Sequence, residues 1–115
     1  MLDKKLQLKD GQTIALIGDY PQLPIAAPQV KASNADAVIV FTVNKAELHR
    51  NLNVLKTAAE NNKLTWVAYP KAKLLDTDIN RDIIRAIANE NGLDPVRQIA
   101  LDETWSTLRL KSLTS

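Results

Sequence analysis

The sequence predicts an α/β fold, a small Rossmann-like sandwich whose sheet is mostly parallel and closes in a C-terminal antiparallel hairpin. Three observations carry that prediction. Residues 13–17, 37–43 and 64–69 are short apolar runs without polar alternation, the pattern of strands covered on both faces. The segments after the second and third runs place apolar residues at helical spacing, so strand, helix and strand succeed one another at the length of a right-handed crossover. Aromatic residues make up only 4% of a chain that is 45% apolar, so the core is built from Ile, Leu, Val and Ala, which suits a layered α/β domain.

Residues 1–12 are polar and end on the turn signal Asp10-Gly11, with Leu6 and Leu8 expected to clasp under the first strand. Residues 13–17 form that strand between Gly11 and Gly18. Pro21, Pro24 and Pro28 then forbid a helix interior or a central strand, so an irregular loop follows. Residues 29–32 predict a short edge strand and residues 33–36 a turn. After the strand at 37–43, Asn44 and Glu47 have capping-box spacing, with Glu47 expected to reach back to the Asn44 N–H. The helix they open is expected to run to about Asn61, with Leu48, Leu52, Leu55 and Ala59 as its buried stripe. Residues 64–69 form the next strand, with Trp66 expected to pack under a helix. Asp76 or Asp78 caps a second helix to about Asn91, buried along Ile79, Ile83, Ile84 and Ile87, with Gly92 at its C′ position and Pro95 beyond. Residues 96–101 and 105–110 pair as a hairpin about Asp102-Glu103-Thr104. The order is β-(β)-β-α-β-α-β-β, in one domain spanning residues 1–115.

The totals remove several chemistries. The net charge is +2, and the sequence pI near 9.0 rests on that small excess, so no clustered basic patch argues for nucleic acid. There is no cysteine, which excludes disulfides, thiolate metal sites and a cysteine nucleophile and fits a reducing cytoplasm. No apolar run approaches the ~18 residues of a membrane span. No apolar stretch follows the charged N-terminus as a signal peptide requires. The expectation is a soluble, cytoplasmic protein.

Two resemblances follow from particular residues. The run Trp66-Val67-Ala68-Tyr69-Pro70-Lys71, with Thr77-Asp78-Ile79-Asn80-Arg81-Asp82 and Asp102-Glu103-Thr104-Trp105-Ser106, resembles a bacterial family of small domains of unknown function over roughly residues 36–110. That resemblance implies the fold and no activity. In broad topology the chain is also similar to the second half of a Rossmann-like methyltransferase, which ends in the same strand–helix–strand–strand order. In that superfamily the cofactor lies in a glycine-rich turn after the first strand. Here the corresponding residues are Ile17-Gly18-Asp19-Tyr20-Pro21, with one glycine and a proline-rich loop in place of the helix. The resemblance therefore implies no adenosyl pocket, and no cofactor is expected.

Candidate site residues come from where such sheets bind ligands, beyond the carboxyl ends of the parallel strands. Those ends carry Asp19, Asn44, Tyr69, Lys71 and Lys73, with Asp76, Asp78 and Arg81 in the charged stretch that follows. Two lysines beside a helix N-terminus suit a small anionic or nucleotide-like ligand. Against that, Asp76 and Asp78 occupy the positive end of that helix. Acid–base pairs such as Asp82 and Arg85 have ordinary helix-surface spacing. With three glycines in the chain there is no phosphate-loop motif. His49 is the one histidine and sits inside a helix with no nucleophile near it in sequence, so it reads as a solvated or packing residue. A single His without Cys leaves too few ligands for zinc, and no metal is expected. No catalytic residue is assigned. The first reading is a non-catalytic binding or assembly module, pairing as a homodimer through an exposed sheet edge. The rival is a ligand-binding protein or enzyme that uses the strand-end rim.

Overall fold

The computed structural model of the chain describes residues 2–71 and 78–113. Five strands form one sheet: β1 (Ile14–Ile17), β2 (Ala37–Phe41), β3 (Leu64–Pro70), β4 (Leu93–Ala100) and β5 (Trp105–Ser112). Three helices accompany them, α1 (Lys45–Arg50), α2 (Leu52–Glu60) and α3 (Arg81–Glu90), with a 3-10 turn at Ala32–Asn34. The spatial order is β1-β2-β3-β5-β4.

The sheet is mixed, not mostly parallel as expected. β1 pairs with β2 and β2 with β3 in parallel, but β5 runs antiparallel to both its neighbours. Those antiparallel registers are the longer ones, from Thr65–Leu110 to Pro70–Trp105 and from Leu93–Ser112 to Ala100–Ser106. The cause is the route of the chain: α3 carries it from β3 past one strand width to β4, and the hairpin then returns β5 into the gap.

Four expected elements differ in detail. Residues 29–32 form no strand; Gln29 makes a single bridge to Ile14, and the 3-10 turn begins at Ala32. The helix after Asn44 is broken at Asn51, whose side-chain amide donates to the Glu47 carbonyl at 3.0 Å and competes with the helical ladder there. The cap of α3 is neither Asp76, which lies outside the described residues, nor Asp78. It is Asn80, whose Oδ1 accepts from the Ile83 N–H at 2.9 Å. β4 begins at Leu93 rather than at residue 96, and its register shifts between Pro95 and Arg97. The cap at Asn44 forms as expected, accepting from Glu47 N–H at 2.9 Å, but the Glu47 carboxylate reaches back to the N–H of Val43, not Asn44. Gly92 has φ +76 beside the C-cap Asn91, the left-handed position a C′ glycine occupies.

The two faces of the sheet are covered by different materials. One face packs on the helices: Val38, Val40, Val67, Leu108 and Leu110 meet Leu48, Leu55, Ile84 and Ile87. The other face holds Ile39, Phe41, Trp66, Ala68 and Trp105, and it is covered by irregular chain. Leu2 and Leu6 are buried there, with Leu8, Leu23 and Ile25 packed against them. Helices on both faces were expected, with Trp66 under one of them; instead Trp66 is sealed by the N-terminal segment and the proline-rich loop. Three hydrogen bonds of 2.9 Å hold these two coverings together: Leu2 N–H donates to the Pro24 carbonyl, and the Ala26 and Ala27 N–H groups donate to the Asp3 carboxylate. Phe41 then meets the Trp105 ring edge-on at 5.2 Å, so the second tryptophan closes the same core.

Candidate functional site

A groove of about 670 Å³ opens where β3 ends, on the helix face of the sheet. Four elements wall it. β3 and the residue just past it contribute Tyr69 and Lys71, the start of α3 contributes Asn80, Arg81 and Asp82, and β4 with β5 contributes Gln98, Ile99, Ala100 and Ser106. Strand alternation explains the sheet wall. Ser106 stands opposite both Tyr69 and Ala100, so these three side chains share a face. The wall is tied together by Gln98, whose side-chain amide donates to the Tyr69 hydroxyl at 3.2 Å and lies 3.4 Å from the Ser106 hydroxyl.

The charges of the groove come from its rim. Lys71 is half-buried, and its backbone N–H donates to the Thr104 carbonyl at 2.8 Å, which fixes the strand exit against the hairpin turn. The Arg81 Nε lies 3.6 Å from an Asp82 carboxylate oxygen, with both side chains largely in solvent. Such an exposed pair between chain neighbours holds little energy, about 0–1 kcal/mol, so Arg81 remains available to a stronger acceptor. Asn80 is spent on its cap.

The sequence-predicted residues separate into three sets. Tyr69, Lys71 and Arg81 converge on the groove. Lys73 and Asp76 lie outside the described residues. Asp19, Asn44 and Asp78 do not line it. Asp19 is exposed beyond β1, two strands away in the sheet order. Asn44 is the cap of α1. Asp78 accepts from the Lys45 N–H at 2.9 Å, so it serves the first turn of α1 and not that of α3. The expected pairing of Asp82 with Arg85 is replaced by Arg81–Asp82, the one ion pair among the described residues. Asp102, at the hairpin, accepts from the N–H groups of Thr104 and Trp105 at 2.8 and 2.7 Å and shapes the turn.

Sequence reasoning missed Asn80, Asp82, Gln98, Ile99, Ala100 and Ser106. Asn80 had a local signal, an Asn three residues before a periodic isoleucine. Gln98 and Ser106 had none, because their place depends on the pairing of β5 between β3 and β4.

Two further grooves, of about 430 and 490 Å³, each have one charged side chain that serves the fold. In the first, the Lys63 ammonium donates to the Ala32 and Ser33 carbonyls at 2.9 and 3.3 Å. In the second, Asp3 holds the proline-rich loop. Burial alone would raise the Asp3 carboxyl, but the N–H groups of Ala26 and Ala27 and its own N–H outweigh that and hold it below the ordinary value of 3.8. Among the described residues, no three His, Asp or Glu side chains converge as metal ligands, and no helix is long and apolar enough to cross a membrane. His49 lies exposed on α1 and does not line the 670 Å³ groove. Compared with models of known protein families and with curated protein sequences, the chain matches none.

Proposed function

We propose that the protein is a non-catalytic cytoplasmic binding module, and that the groove beside the start of α3 holds its ligand, a small anionic or nucleotide-like molecule. One observation carries the reading. Lys71 and Arg81, which flank the 72–77 segment, line a single groove together with the uncharged donors and acceptors of Tyr69, Gln98 and Ser106. Two cations against one carboxylate favour an anionic guest, and the hydroxyl and amide groups offer it orientation. The binding role is preferred to a reaction because the Tyr69 hydroxyl is engaged with Gln98, and no His lines this groove to act as a base. The chain's place in the bacterial family it resembles belongs to the same proposal, supported by the quoted runs between residues 36 and 110.

A thermal-shift screen of nucleotides, sugar phosphates and adenosyl-methionine tests it. A ligand at 100 times its Kd stabilises by about 2.7 kcal/mol, and Lys71→Ala and Arg81→Ala are expected to abolish the shift. A flat screen, or shifts that survive both substitutions, would sink the reading.

A second reading, assembly through a sheet edge, has its own observation. The outer edge of β1 is occupied by backbone, with Ile14 N–H donating to Pro28 and Val30 N–H donating to Ile14, each at 2.9 Å. β4 ends the sheet on the other side, and Val96 is 48% exposed there, with Leu113 54% exposed just past β5. A homodimer through β4 would cover both. Light scattering at high micromolar concentration is expected to give a dimer that Val96→Lys dissociates; a clean monomer removes the idea.

A further inference from the structure

The sheet face turned away from the helices carries an arrangement that the fold itself does not require. Arg97 of β4 stands directly across from Arg109 of β5, and on the other side of Arg109 stands Trp66 of β3. Alternation puts Arg109 and Arg97 on the face of Trp66 and Ile99, away from the helices. Like charges directly opposite on a sheet are destabilising. The neighbouring row shows the usual arrangement, with Asp94 opposite Lys111.

The register shift is what creates the pair. Pro95 faces Leu110, and regular pairing would then bring Val96 opposite Arg109 and turn Arg97 to the helix face. The extra residue re-aims Arg97 to stand beside Arg109, which is a recurrent use of a β-bulge.

Nothing among the described residues neutralises the pair. The one ion pair there is Arg81–Asp82. Arg109 donates from Nη1 to the neutral Gln7 side chain, while its Nε is buried without a partner, as is the Trp66 indole N–H. Buried donors left unpaired in this way call for an explanation. Arg97 is exposed and Arg109 half-buried on directly opposed residues, and two guanidinium groups so placed suit one oxyanion between them. The patch is too small for a polynucleotide, because the row of Ile99 and Thr107 on one side is uncharged and the row on the other sets an acid, Asp94, opposite Lys111.

We infer that Arg97 and Arg109 form a second site, independent of the groove, that binds one phosphate or carboxylate group.

The test uses the full chain, isotope-labelled, titrated separately with inorganic phosphate and with citrate at constant ionic strength. In at least one arm the Arg109 Nε–H and Trp66 indole N–H resonances are expected to move, and the arm that responds names the group. Arg97→Gln, at an exposed edge position, is expected to raise the melting temperature at low salt and to weaken the anion about tenfold, the loss of one charge-assisted contact. No anion-specific change in either arm overturns the inference. So does an affinity unchanged by Arg97→Gln, or one lost instead with Lys71→Ala, which reports the groove.

Discussion

Gly18 has a task no other residue can perform. Its φ is +98, and a Cβ there would stand 2.6 Å from the Phe41 carbonyl oxygen, a backbone atom that cannot swing aside. β1 ends where the chain must press against β2, and Gly18→Ala adds a steric clash to an unfavourable dihedral. It is expected to cost about 1–3 kcal/mol, measured by urea denaturation; unchanged stability would show that β2 yields. Asp3 works by charge. Its carboxylate holds two backbone N–H groups of the proline-rich loop, so Asp3→Ala is expected to cost about 1–2 kcal/mol. Its folded pKa lies below its unfolded one. The unfolded state therefore takes up the proton first on acidification, and the stabilisation, complete above the ordinary value of 3.8, is lost as pH falls through the lowered folded value. Stability curves below pH 4 are expected to be flatter in Asp3→Asn than in the parent.

Helix boundaries here are set by asparagine. Asn44 and Asn80 cap α1 and α3 at their starts. Asn51, Asn61 and Asn91 each donate a side-chain amide to the carbonyl four residues back, at 3.0, 2.8 and 2.8 Å. A short polar side chain that bonds its own backbone is what makes Asn a terminator. Asn80→Ala is expected to cost about 1 kcal/mol and to loosen the α3 wall of the groove. Asp78→Ala is expected to act on α1 instead, read as faster amide exchange in residues 45–47 while α3 is unaffected. If both substitutions loosened the same helix, the division of the two caps would be wrong. The caps at Asn44 and the stop at Gly92 were legible because their signals are local. The start of α3 was not, since Asp76, Asp78 and Asn80 all satisfy the same local rule and only the path of the backbone chooses among them.

At the scale of the whole molecule, the N-terminal segment is part of the core. Leu6 is fully buried against Ile14, Ile39 and Trp66, so Leu6→Ala is expected to destabilise by about 2–5 kcal/mol, as much as Leu55→Ala beneath the helices. A cost under 1 kcal/mol for Leu6→Ala would mean that this covering is loosely held. The sequence alone determined the α/β class, β2, β3 and the C-terminal hairpin, and it singled out Tyr69, Lys71 and Arg81, which the fold brings to one groove. Each of these rests on a pattern contained within a few turns of chain: an apolar run, a cap, a turn, a charge just past a strand. Only the tertiary structure decided that β5 lies between β3 and β4, that irregular chain seals the Trp66 face, and that a bulge sets Arg97 beside Arg109. Those depend on which strand pairs with which, and in what register. A one-residue slip in register exchanges the two faces of a strand, and no pattern local to β4 or β5 records it.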